Sequence, residues 1–184
     1  MVEDAMKIDI ENMTMQQLIN MFPKCNQQDK REIADYIFKM GDVKSLVLLA
    51  LIDPSNIGKY QERILKEGSA ADLLCISDVY GVDLYKMQEK IYYLGSLADM
   101  INFIACHLDF LGLRLDAFAK RFIISNNAEK IYHFALLVHD HKRDDEIPVR
   151  KLWKAIKKAE KDTMKGFYVS EFKRRFTLKQ RLFG

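Results

Sequence analysis

At 184 residues, with 49% hydrophobic and 30% charged side chains, eight glycines and three prolines, the chain is long enough for one globular domain and too apolar for a disordered or collagenous one. Three distant cysteines, Cys25, Cys75 and Cys106, fit neither a disulfide framework nor a zinc module, and the longest apolar run, Leu46 to Ile52, falls far short of the ~20 residues that span a bilayer. The net charge of +3 conceals an asymmetry: Arg150 to Gly184 holds twelve bases and three acids, a local +9 against −6 for everything before it. With no basic, apolar and small-residue signal at its start, the chain reads as a soluble cytoplasmic protein.

Taken in chain order, the hydrophobic spacing predicts helices over 14–22, 28–40, 42–52, 56–67, 69–79, 83–94, 96–110, 113–125, 127–140, 148–163 and 168–181. Thr14 and Gln17 make a capping-box pattern for the first, and Pro148 suits the opening turn of the tenth. Gly41-Asp42, Gly68-Ser69 and Gly95-Ser96 recur at intervals of 27, and Asn126-Asn127 follows 31 residues later. Each pair reads as a helix closed by a left-handed Gly or Asn and a second helix opened by an Asp, Ser or Asn cap. Asn56 and Asp83, behind the breaks at 53–56 and 80–83, read as further caps.

The apolar stripes keep the same register. Ile33, Ile37 and Met40 match Tyr60, Ile64 and Glu67, then Met87, Ile91 and Leu94. Beyond each junction lie Val43, Leu46, Leu49 and Ala50; Ala70, Leu73, Ile76 and Ser77; Leu97, Met100, Phe103 and Ile104; and Ala128, Ile131, Phe134 and Ala135. A helix about 15 Å long cannot bury such a stripe alone, so successive pairs are expected to stack. The expected fold is all-α: a single domain over 1–184, built as a short α-solenoid of antiparallel helix pairs. Residues 1–26 would form an N-terminal cap helix, 27–147 the repeats and 148–184 a basic helical cap.

The unit over 68–94, with its Gly-Ser start and its Asp78-Val79-Tyr80-Gly81-Val82-Asp83 turn, together with Phe134-Ala135 and the other Gly junctions, resembles the degenerate helix-pair repeats of about 27 residues found in bacterial and phage proteins. The resemblance covers about two thirds of the chain. It implies a repeat scaffold and no catalytic residue.

The stacking register aligns Asp35, Glu62 and Glu89, continued by Lys120, beside Tyr36, Arg63, Lys90 and Arg121. These rows read mainly as a self-neutralising face carrying the i,i+4 pairs Asp35–Lys39 and Glu62–Lys66. Tyr85, Tyr92 and Tyr93 stand off the stripe of their helix and, with Arg63, Lys90 and Arg121, are the candidate surface for a protein partner or a second copy. His133, His139 and His141 read as solvated loop residues without a third ligand, Cys75 and Cys106 as core residues, and no metal or cofactor is expected.

The C-terminal segment carries the sharpest ligand signal. Lys151, Lys154, Lys158 and Lys161 share one helical side opposite Leu152, Trp153, Ile156 and Ala159, and Lys173, Arg174 and Arg175 lie between Phe172 and Phe176. Such a face fits nucleic acid, an acidic protein or an anionic lipid surface. The functional expectation is a non-enzymatic repeat protein that binds a protein partner or itself. The alternative is a nucleic-acid binder, and the least favoured reading is a base-excising enzyme using Trp153 with Asp162.

Overall fold

The computed structural model describes residues 9–161 and 166–183. Among these the chain is all-α: twelve α-helices and four short 3-10 turns, with no strand. It divides into two compact units, 1–87 and 88–184. The first holds α1 (Met15–Met21), α2 (Gln27–Met40), α3 (Val43–Ile52), α4 (Ile57–Glu67) and α5 (Ala70–Ile76). The helix α6 (Leu84–Leu94) runs across the division. The second unit continues with α7 (Leu97–His107), α8 (Leu115–Ile124), α9 (Ala128–Asp140), α10 (Val149–Lys161), α11 (Phe167–Arg175) and α12 (Leu178–Phe183).

The repeated joints have a cause other than the expected one. Gly41 and Gly68 have φ of −72° and −78°, and the glycines with positive φ are Gly81 and Gly166, so the glycines at 41, 68 and 95 are not left-handed. They are close-approach residues. Each donates its N–H to the carbonyl of the isoleucine four residues earlier, at 2.8 Å for Ile37, Ile64 and Ile91 alike. A Cβ at any of the three would stand 2.6 Å from that same carbonyl oxygen, with the Ile Cγ2 and the Cβ of the third residue of the next helix crowding the other side. Only at the fourth joint does a left-handed residue appear, Asn126 with φ of 53°.

The residue after each glycine caps the following helix. The Ser69 hydroxyl accepts from the Asp72 N–H at 3.3 Å while the Asp72 carboxylate accepts from the Ser69 N–H at 2.8 Å. Ser96 and Asp99 repeat the exchange at 3.2 and 2.8 Å. At the first joint the chemistry is reversed: Asp42 accepts from both the N–H and the hydroxyl of Ser45, at 2.8 and 2.6 Å. Each cap is worth about 1 kcal/mol. Thr14 and Gln17 form the expected box, Asp83 accepts from the Lys86 N–H at 3.1 Å, and Asn127 caps α9. Asn56 does not cap α4; its amide instead donates to Asp53 at 2.8 Å.

The expected stripes form the cores. In the first unit α1, α2, α4 and α5 pack on α3, burying Ile33, Ile37, Leu46, Leu49, Ala50, Tyr60, Ile64, Leu73 and Ile76. In the second, α7, α8 and α9 pack together and α10 lies along α9 and α8. There Phe122 and Phe134 stack at 4.6 Å in a core shared with Phe103 and Phe118, each ring contributing about 1.5–3 kcal/mol by leaving water. Met40, Glu67 and Leu94, the third members of the first stripe, are exposed because they are the last residues of α2, α4 and α6. Cys75 and Cys106 are exposed as well, not in the core, since each follows the inward-facing residues of its helix by less than a turn.

Two buried glutamines hold the breaks between helices. The Gln61 carbonyl accepts the Asp83 N–H at 2.8 Å, and Gln88, 27 residues on, accepts the Arg114 N–H at 2.9 Å and donates to the Gly112 carbonyl at 3.0 Å. Each satisfies turn groups that the helices cannot reach. Two arginines do the same for carbonyls at helix ends. Arg63 donates to the Phe38 carbonyl and, at 2.9 Å, to that of Gly41. Arg143, held by Glu146, donates to the carbonyls of Leu108 and Phe110.

The single helix expected over 168–181 is two. α11 stops at Phe176, and Thr177 starts α12 through a capping box with Gln180, the Thr177 N–H reaching the Gln180 carbonyl at 2.8 Å. His139, expected in a solvated loop, is half-buried at the end of α9: its Nδ1 pairs with Asp144 at 2.8 Å and its ring lies 4.6 Å from Phe176. Gln180 donates to the same Asp144 at 3.0 Å, fixing α12 to that corner.

Two predictions follow from this architecture. Gly68→Ala should lower stability by about 1–3 kcal/mol, because the crowding atom is a helix carbonyl and not a flexible side chain. Gly58→Ala, on the open surface of α4 with nothing within 4 Å of the added carbon, should raise it by about 0.5 kcal/mol. Urea midpoints of the two variants check both signs.

Acid should weaken the first unit through Asp53. Burial alone would raise that carboxyl, but hydrogen bonds from Ser55, Tyr60 (2.6 Å) and Asn56 hold it below the usual aspartate value. A depressed folded-state pKa means a contribution that is complete above the ordinary value near 4 and disappears as pH falls through the folded one. Asp53→Asn should therefore show a smaller drop in urea midpoint between pH 7 and pH 3 than the parent chain.

Candidate functional site

The inward side of α10 takes Val149, Leu152, Ile156, Ala159 and Glu160 at three- and four-residue steps, all buried. That spacing commits Arg150, Lys151, Lys154, Lys157, Lys158 and Lys161 to the outer side, where all six are exposed. The apolar side packs on α8 and α9. Trp153 lies at the border, half-buried.

Two depressions flank the lysine ridge where α8 gives way to α9. One, of about 360 Å³, is bordered by Lys151, Lys154 and Lys158, with Ile123, Ile124 and Ala155 as its floor and Asn126 at its end. Ile124 is 78% exposed, large for an isoleucine at a helix end. Among the described residues no acid is paired with these three lysines. Their mutual repulsion is relieved only by water and salt, so an anion gains by settling there.

The second depression shares Asn126, has about 580 Å³, and is bordered by Asn127, Glu129, Glu160, Phe167 and Tyr168. Its far wall stands because of Glu160. That buried carboxylate accepts the N–H of Tyr168 at 2.5 Å and of Val169 at 2.8 Å, capping α11 after the left-handed Gly166. Phe167 meets Tyr168 edge-on at 5.1 Å and remains 57% exposed. Burial, and then the carboxylates of Glu129 and Glu160, push the Tyr168 phenol above its ordinary value, so it stays a neutral hydroxyl.

On the other flank of α10 the Trp153 indole gathers cations: Lys157, Lys173 and Arg181 lie 5.6, 5.9 and 5.5 Å from its ring centre, and Phe172 packs at 5.6 Å. Lys173 thus joins the α10 ridge. Arg174 is paired with Glu171 at 2.5 Å, Arg175 is exposed at the end of α11, and Lys161 is exposed beyond both depressions. Asp162, the expected companion of Trp153, lies outside the described residues.

Of the expected tyrosine surface, Tyr92 meets both Tyr93 and Arg121. Tyr85 and Tyr93 are 62% and 67% exposed. Tyr92 is half-buried, its ring 6.0 Å from Phe118 and 5.2 Å from Tyr93 with Arg121 stacked over it at 5.6 Å. Arg63 is occupied as a helix-end brace, and Lys90 is half-buried. Of the basic row read from the register, Arg63 reaches back from α4 to the end of α2, and Arg121 from α8 to Tyr92 on α6. Of the acidic row, Asp35 pairs across helices, meeting Lys59 at 2.7 Å and not Lys39.

Asn126, Glu129, Ile123, Ile124, Phe167 and Tyr168 were not legible as site residues. The readable signal was the apolar pair Ile123-Ile124 continuing past the last core residue, Phe122, into a turn without glycine. Among the described residues no three or more His, Cys, Asp or Glu side chains are grouped as metal ligands, and no helix is long and apolar enough to cross a membrane. Comparison with protein-family models, with curated proteins and with solved structures gives no match.

Proposed function

We propose that this chain is a non-enzymatic helical interaction protein that binds a polyanion through the α10 ridge. The observation that carries the reading is that Lys151, Lys154 and Lys158 border one depression with no acid paired to them among the described residues. Three of the six exposed cations of α10 border one depression, together with Ile123, Ile124 and Ala155. The groups gathered around it are three ammoniums, the Asn126 amide and aliphatic side chains, which bind and orient. The stacked-pair scaffold belongs to the same proposal, supported by the identical glycine joints at 27-residue steps and by the repeated glutamine bonds. A cytoplasmic location fits such a protein.

A protein partner held by Tyr85 and Tyr93 is the second reading. It draws on the exposure of those two rings, and it loses ground because Tyr92 and Arg63 are engaged within the fold.

The first reading is tested by the triple change Lys151→Glu, Lys154→Glu and Lys158→Glu, with Lys44→Glu on α3 as the control. Binding of the full chain to heparin, followed against salt, should weaken at least tenfold in the triple variant and be unchanged in the control. The salt dependence should flatten, because three sites of counterion release are gone. Equal heparin affinity in all three proteins would end the proposal.

A further inference from the structure

The two depressions at the head of α9 differ in chemistry in a way that an unadorned polyanion does not match. Lysines border the smaller. The larger presents the Glu129 carboxylate, with the buried Glu160 carboxylate behind it engaged by α11, the amides of Asn126 and Asn127, the neutral Tyr168 phenol and the Phe167 ring. An acidic peptide, an inorganic polyphosphate or an anionic lipid headgroup finds partners in the first and repulsion in the second. A nucleotide has both halves: a charged phosphate, and a planar base whose edge donates and accepts while its faces stack.

We infer that the second unit binds single-stranded nucleic acid, with successive phosphates on Lys151, Lys154 and Lys158 and one base in the adjoining cleft between Asn126, Glu129, Phe167 and Tyr168. The inference rests on the polyanion reading and deepens it. Asn126 borders both depressions, so one strand passing over it reaches both. Along α10 the three lysines follow one another at axial rises of about 4.5 and 6 Å, so a strand laid along the helix meets all three. The volume of about 580 Å³ admits a nucleobase with water to spare. Phe167, at 57% exposure, offers a ring face for stacking, and the Glu129 carboxylate can accept from an exocyclic amino group.

A duplex keeps its bases stacked and paired, out of reach of such a cleft, so the preference should be for single strands. Glu160 has a positioning role: its two hydrogen bonds to the start of α11 hold Phe167 and Tyr168 in place.

Fluorescence anisotropy of the full chain with a labelled mixed-sequence 12-nucleotide single-stranded DNA tests this. The arms are RNA of the same sequence, the matching duplex, inorganic polyphosphate of equal charge, and phosphatidylserine vesicles. Single strands should bind more tightly than duplex and polyphosphate. Phe167→Ala should weaken the single strand by about five- to fifty-fold, the scale of one lost base stack, and leave polyphosphate unchanged. Glu129→Gln should alter the preference between cytosine- and thymine-rich strands and leave polyphosphate unchanged. Circular dichroism confirms that each variant remains folded.

Equal affinity for polyphosphate and single strand, with Phe167→Ala silent, overturns the base site while leaving the polyanion reading standing. Tighter binding to vesicles than to either nucleic acid, with Phe167→Ala weakening it, also overturns the base site and assigns the apolar floor to lipid. No binding to any arm, with the triple lysine change silent, removes both readings. RNA against DNA affinity identifies which strand the site prefers.

Discussion

The fold depends on a contact that leaves no room for a side chain. Where α2, α4 and α6 end, the chain must turn within one residue and start the next helix with its apolar stripe facing inward. It does so by pressing the backbone of Gly41, Gly68 or Gly95 against the carbonyl and branched side chain of the isoleucine four residues earlier. The glycine N–H keeps its bond to that carbonyl at 2.8 Å, so the helix is closed and the chain redirected by one residue. Because the isoleucine is itself a buried stripe residue, the joint fixes both the direction of the turn and the rotation of the helix entering it. The Asp or Ser that follows then satisfies the free amides of the next helix. The three joints are geometrically alike, so the same local turn and cap recur at 27-residue steps.

This explains why the helices were legible and the reason for the glycines was not. Stripes at three- and four-residue spacing and cap residues are local properties, and Leu46, Ile64, Phe103 and Phe134 are buried where the periodicity placed them. A glycine after a helix suggests left-handed closure by frequency alone. That it serves close approach depends on where the next helix lies, which is tertiary information. The same holds for Cys75 and Cys106. Both sit beside core residues on a helical wheel, yet which flank of a stripe is covered depends on the neighbouring helix. Thr177 and Gln180 were legible in principle: the spacing is that of Thr14 and Gln17, and a continuous hydrophobic pattern concealed it.

Cations in this protein serve two purposes, and sequence pattern alone does not separate them. Arg63 and Arg143 spend their guanidiniums on backbone carbonyls at helix ends, where the planar fork reaches two acceptors at once and the local dipole is negative. Arg121 covers Tyr92. These three lie in or beside the cores and each has a partner within its own unit. The α10 lysines lie instead on a helix whose inner side is fully used, with flexible stems and no acid paired to Lys151, Lys154 or Lys158 among the described residues. Arginine as brace and lysine as exposed charge follow from the two head groups: one holds a fixed geometry, the other does not.

The candidate site lies where the repeat departs from its own rule. A fourth joint built like the others would place glycine at the end of α8 and press the start of α9 against it. Ser125-Asn126-Asn127 stands there instead. Asn126 there adopts the left-handed conformation that the glycine joints avoid, and Ile123 and Ile124 border a depression. The arriving α10 covers α8 and α9 but leaves that corner uncovered. α11, tethered by Glu160, closes it from one side only. A hollow requires a lapse in close packing, and in a chain whose joints admit no methyl group the lapse occurs at the joint that lacks glycine. That the lysines of α10 border this same corner is what turns a packing irregularity into a place where a charged, partly apolar ligand can lie.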